Sequence, residues 1–190
     1  MPSVLFPLVI LSLRNPRSGM ALVLNMPWGD QGRWCLFGLA TICPAIVLVL
    51  SFALDPNMTT VMGGGLSPFA ILGVQALAIL LFAWLTHVVG RWRGGRGTFP
   101  ESLLTLSWLQ LCLVPVQFFI LALDFVSSDV ASMVGTIFML WTICMLTSFV
   151  CELHGFKSPA LVLLGIFGTM FLLVLVLSVL AAFVMGPPNV

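Results

Sequence analysis

Five stretches of this 190-residue chain are long, apolar and almost free of charge, and nothing else limits its fold so strongly. They cover residues 34–54, 67–89, 102–126, 130–151 and 159–185, and the only formal charge in all five is Asp124. A helix rises about 1.5 Å per residue and a bilayer's hydrocarbon core is about 30 Å thick, so about 20 apolar residues suffice to cross it. Every backbone N–H and C=O in that core must be bonded within the protein, and a helix does this inside one segment. The expected fold is therefore all-α, a polytopic membrane helix bundle with five transmembrane helices. A water-soluble domain is excluded, because apolar residues reach 61% and charged residues only 7%, against about 45–50% and about 25% in soluble domains. A net charge of +1 leaves no field to attract nucleic acid, so none is expected as a partner.

Three regions follow: a cytoplasmic or interfacial segment over 1–33, the transmembrane domain over 34–185, and a short non-cytoplasmic tail over 186–190. The apolar runs 4–13 and 20–24 are too short to span, and Pro7 interrupts the first. Positive charge follows the first run instead of preceding it, which is the wrong order for a cleaved secretory signal. Short helices lying in the interface, with Arg14 and Arg17 among headgroups, are the expectation; packing against the bundle ends is the plainer alternative.

All seven Lys and Arg residues fall on one side of this topology. Arg14, Arg17 and Arg33 precede the first span, Arg91, Arg93 and Arg96 lie between the second and third, and Lys157 lies between the fourth and fifth. The positive-inside rule then places the N-terminus in the cytoplasm and the C-terminus outside. Trp28, Trp34, Trp84, Trp92 and Trp108 fall near the same ends, at headgroup level.

Little in the chain carries chemistry. No GxSxG or HExxH occurs, and Gly63, Gly64 and Gly65 are not followed by the Lys-Ser or Lys-Thr of a phosphate loop. Cys35, Cys43, Cys112, Cys144 and Cys151 are odd in number, without CxxC, and read as small apolar packing residues. No catalytic, metal or cofactor-binding residue is expected, and no cofactor. His87 and His154 stand near the cytoplasmic face and read as structural. Gly165 with Thr169, and Ser178 with Ala182, are weak small-residue pairs for helix packing.

Two polar features remain. In the third span Ser107, Gln110, Gln117 and Asp124 form a stripe, the last three recurring every seven residues, with Pro115 between the glutamines. It is either interhelical glue, with Gln75, Thr136 and Thr147 as candidate partners, or the lining of a path through the membrane. The second feature is a pair of cytoplasmic loops carrying Arg91, Arg93, Arg96, Glu101, Glu152, His154 and Lys157, a candidate docking or lipid-headgroup surface. Glu152 is expected to pair with an arginine of the other loop, Arg96 being the candidate, and Thr98 or Ser102 to cap the third span.

Leu13-Arg14-Asn15-Pro16-Arg17, Gly94-Gly95-Arg96-Gly97-Thr98-Phe99 and Glu152-Leu153-His154-Gly155-Phe156 resemble the Yip (Ypt-interacting protein) domain family, in its short bacterial form. The likeness covers about residues 8–185, and five spans with an inner N-terminus match it. It implies an integral protein of the bacterial inner membrane, with membrane lipids and another membrane protein, or a second copy, as partners. Eukaryotic members associate with Rab-type GTPases, generally through a longer cytosolic N-terminal region. This chain has about thirty residues before its first span and no acidic segment among them, so GTPase binding is not expected to carry over. The family pattern implies no catalytic residue. The expected function is a non-enzymatic interaction, organising or accessory subunit; the alternative is a small transporter or channel using the stripe of the third span. An intramembrane enzyme lacks any nucleophile, base or metal constellation.

Overall fold

The computed structural model describes residues 2–54 and 67–185, with residues 2–4, 172–173 and 176–185 as helix backbone only. The Gly63–Gly65 run, the tail over 186–190 and the side chains of Ser178 and Ala182 lie outside the described set. Seven helices are described: α1 (Pro2–Arg14), α2 (Pro16–Asn25), α3 (Asp30–Leu54), α4 (Pro68–Trp92), α5 (Phe99–Asp124), α6 (Ser128–His154) and α7 (Pro159–Met185). There is no strand among the described residues. Helices α3, α4, α5 and α6 are each long and apolar enough to cross a membrane. Helix α7 extends over 27 residues, and its apolar part Pro159–Phe171 lies in the described side chains.

Helix starts follow the local chemistry. Ser67 accepts a hydrogen bond from the Ala70 N–H at 3.2 Å, with Pro68 opening α4. Asn15 caps α2 by accepting from the Ser18 N–H at 3.4 Å, ahead of Pro16. At α5 the Glu101 carboxylate accepts from both the N–H and the hydroxyl of Thr98, each at 2.8 Å, which is one arm of a capping box. Helix ends are just as explicit. Gly94 (φ +82°) follows α4, with the Gly95 N–H bonded to the Gly90 carbonyl at 2.8 Å. Gly155 (φ +72°) follows α6, with the Phe156 N–H bonded to the Cys151 carbonyl at 2.9 Å. Both are left-handed glycine stops of the Schellman kind, and both lie at the arginine-bearing end of the bundle.

Helix α5 is the central element, packed by α3, α4 and α6 and, along its first half, by α1 and α2. Every residue from Ser102 to Leu109 is buried as a result. The main core joins Leu8, Met20 and Val23 of the N-terminal helices to Leu36, Leu104, Trp108, Cys112, Met145 and Phe149. A second cluster joins Ala40, Ile79, Ala83, Leu103 and Leu106, and a third joins Val150, Cys151 and Val162. Helix α7 packs mainly on α6, at the edge of the bundle.

The N-terminal helices do more than rest on the surface. Helices α1 and α2 fold back on one another and pack against α5 and α6. The Trp108 indole N–H donates to the Ser12 hydroxyl at 3.0 Å, with both side chains buried. Gly19 permits this approach, since a Cβ there would stand 2.6 Å from the Ser12 Cα. Trp108 lies nine residues into α5, about 14 Å along its axis. The hairpin therefore docks on the flank of the bundle, while Arg14 and Arg17 stay exposed.

Candidate functional site

The site grows from the last residue of α6. His154, grouped by the sequence with the charged residues of the candidate docking surface, is 2% exposed and lies beneath that surface. Its ring fills a space walled by the end of α4 and the loop beyond it. A Cβ at Gly90 would overlap the imidazole, one at Gly95 would stand 2.5 Å from Nδ1, and one at Gly97 would stand 2.8 Å from the Leu153 Cγ. Three glycines on one short stretch thus make the room that one histidine occupies.

The hydrogen bonds fix the tautomer. The Gly97 N–H donates to His154 Nδ1 at 3.2 Å, so Nδ1 carries no proton. Nε2 lies 3.1 Å from the Thr86 carbonyl, which can only accept, so Nε2–H donates. The geometry holds the neutral imidazole. His154 lies past the apolar stretch that ends at Cys151, and burial lowers its pKa below the ordinary histidine value. From the other side, His87 Nδ1–H donates to the Gly97 carbonyl at 3.1 Å. Both backbone groups of Gly97 are therefore held by histidines. Phe156 stacks on His154 with ring centroids 5.4 Å apart, and Phe99 meets His87 edge-on at 6.4 Å.

Around this fixed backbone Arg91, Arg93, Arg96, Glu152 and Lys157 are exposed. Arg91, Arg93 and Arg96 sit at the end of α4 and just beyond it, where unsatisfied carbonyls give negative partial charge that favours cations. The Arg93 guanidinium lies over the Trp92 ring at 5.8 Å. Glu152 and Arg96 do not form the expected pair: the one ion pair among the described residues is Arg33 with Asp30, at 3.6 Å. Each group stays hydrated at little cost, as exposed pairs contribute only about 0–1 kcal/mol. Glu101 is half-buried and engaged in the cap of α5, and so is not free as a docking group. The surface that remains is Arg91, Arg93, Arg96, Glu152 and Lys157, with His154 beneath it.

The stripe of the third span divides. Ser107 is fully buried and its hydroxyl has no partner; the Gln117 Oε1 is buried and likewise unpartnered. Gln110 is half-buried and opens with Gln75 onto a groove between α4 and α7. Asp124 is exposed at the end of α5. Thr136 and Thr147 each bond the carbonyl four residues earlier in their own helix, and neither bonds the stripe. Helix α5 is buried on all sides only from Ser102 to Leu109, so positions seven apart along it meet different surroundings. Cys112 and Cys151 are buried in the core, and all five cysteines are free thiols.

Residues 10–181 match the family model of the Yip1 domain. No curated protein and no solved structure gives a significant match.

Proposed function

We propose, from the premise that this chain belongs to the Yip1 domain family, that it is a five-span, non-enzymatic organising or accessory subunit of a bacterial inner membrane. Its N-terminus is then cytoplasmic and its C-terminus periplasmic, a reading that the one-sided distribution of Lys and Arg supports. Helix α7 is the fifth span in this reading. It is long enough, at 27 residues, to cross.

The observation that carries the proposal is the exposed basic surface on a rigid backbone. Arg91, Arg93, Arg96 and Lys157 stand around Gly97, whose two polar backbone groups are held by His154 and His87. A loop needed only to set topology has no use for a buried histidine that orders it. Pre-ordering lowers the entropic cost of binding, so the surface suits a partner with an acidic face, either another membrane protein or a second copy. Neutralising Arg91 and Arg96 together, followed by native-lipid extraction and quantitative mass spectrometry, tests it. A stoichiometric protein lost from the double variant supports docking; an unchanged set of co-purifying proteins contradicts it.

A second reading, a small transporter or channel, is favoured by the unpartnered Gln117 Oε1. A Gln117→Cys variant, in a background without native cysteines, reacts with a small aqueous thiol reagent if water reaches that level. No labelling of the folded protein leaves packing as the role of the stripe.

A further inference from the structure

The groove between α4 and α7 has a shape and charge that select an occupant. Its cavity of about 710 Å³ is lined by apolar side chains of α4, α5, α6 and α7. It reaches along α4 from Gln75 to the cap residue Arg93, and from Lys157, just before α7, along that helix to Met170. The α4 wall corresponds to about 26 Å of helix axis, most of the thickness of a bilayer's hydrocarbon core. Its volume falls in the range of sites that enclose small ligands. A long, largely apolar slot at this depth suits an extended hydrocarbon chain.

Charge then orients the occupant. The only formally charged residues of the lining are Arg93 and Lys157, both at the cytoplasmic mouth, and no Asp or Glu lines the groove. Neither forms an ion pair among the described residues. Ser158 lines the same mouth and precedes the N-terminus of α7, whose dipole adds positive potential there. An apolar slot with two unpaired cations at its polar end is the complement of one amphiphile: an anionic headgroup carrying a long acyl chain.

We infer that this groove is a binding site for an anionic phospholipid of the cytoplasmic leaflet, with its phosphate between Arg93 and Lys157 and an acyl chain in the slot between α4 and α7. Arg91 and Arg96, which do not line the groove, remain available to a protein partner. The inference thus goes beyond the docking reading and stands without it.

Native mass spectrometry of the full chain, with phosphatidylglycerol or phosphatidylcholine of identical chains added in detergent, tests it. Two favourable cations predict about a 30-fold preference for phosphatidylglycerol. The Arg93→Gln/Lys157→Gln variant brings the two lipids to equal affinity, and Arg17→Gln, on the far hairpin, leaves the preference intact. Gly165→Leu fills the slot from α7, where an added Cβ meets nothing within 4 Å, and lowers retention of both lipids about tenfold. Thermal unfolding of each variant confirms that the bundle is intact. Equal binding of the two lipids by the unaltered chain overturns the inference, as does an equal loss in Arg17→Gln. So does release of the bound lipid by free glycerol phosphate, which marks an anion site without a chain. A dimer that Gly165→Leu splits assigns the slot to a second copy instead.

Discussion

The contact between Gly90 and His154 gives a test in which one substitution changes sign with its background. In the unaltered chain a Cβ at position 90 overlaps the imidazole, so Gly90→Ala expels the ring from its site. Expulsion leaves the buried Gly97 N–H without an acceptor, at a cost of about 1–3 kcal/mol. Lost packing of a buried ring adds about 1–2 kcal/mol. His154→Ala incurs the same losses, so each single variant is expected to be destabilised by about 3 kcal/mol. At about 2–4 °C per kcal/mol for a chain of this size, both melt about 6–12 °C lower. With the ring already absent, the three atoms nearest that Cβ are gone and Gly90→Ala gains helix propensity, about 0.5–1 kcal/mol at a position inside α4. The double variant therefore melts at or slightly above His154→Ala alone. Thermal unfolding of the four detergent-purified proteins measures the cycle. Equal penalties for Gly90→Ala in both backgrounds, or none in the unaltered chain, refute the reasoning.

Other outcomes follow from single contacts. Because the folded state holds neutral His154 with a lowered pKa, unfolding takes up a proton as the pH falls below about 6.5, the value of a free histidine. Stability is complete above that value and is lost as pH falls through it toward the lower folded pKa. His154→Gln, in melting curves between pH 5 and 8, flattens this dependence; an unchanged slope in the variant contradicts it. Ser12→Ala strands the buried Trp108 indole N–H and lowers stability by about 1–3 kcal/mol, and Gly19→Ala separates α1 from α2, read as faster proteolysis near Asn15. Glu101→Ala removes the acceptor for both Thr98 donors and costs about 1 kcal/mol, measured by chemical unfolding. Arg96→Ala and Glu152→Ala act additively in melting experiments, since no ion pair joins them.

The long apolar helices α3, α4, α5 and α6 are legible in the sequence because lipid imposes a length and an apolar content that a linear reading detects directly. The stops at Gly94 and Gly155 come from the structure, where each glycine takes a left-handed conformation that a Cβ disfavours. His154 is not legible. A histidine next to a charged loop has the same local sequence whether it is solvated or buried, and its glycine-lined space comes from residues about sixty positions earlier. The signal available was the recurrence of glycine at 90, 95 and 97, ahead of a lone histidine at the end of a later helix. The packing of α1 and α2 on α5 was hidden likewise, because short apolar runs look alike at an interface and in a core. The stripe misleads for a geometric reason. A period of seven defines a face of one helix, but the first half of α5 is enclosed, burying Ser107, while its second half is only partly covered, leaving Asp124 exposed.

Cysteine labelling in intact cells tests the central claim most directly, that the basic loops share the cytoplasmic face of a five-span bundle. Single cysteines at positions 96, 157 and 189, in a chain whose five native cysteines are alanine, are exposed to a membrane-impermeant thiol reagent before and after lysis. The account predicts that position 189 reacts from outside, while 96 and 157 react only after lysis. Reaction of position 96 in intact cells, or of 157 and 189 on the same side, contradicts it.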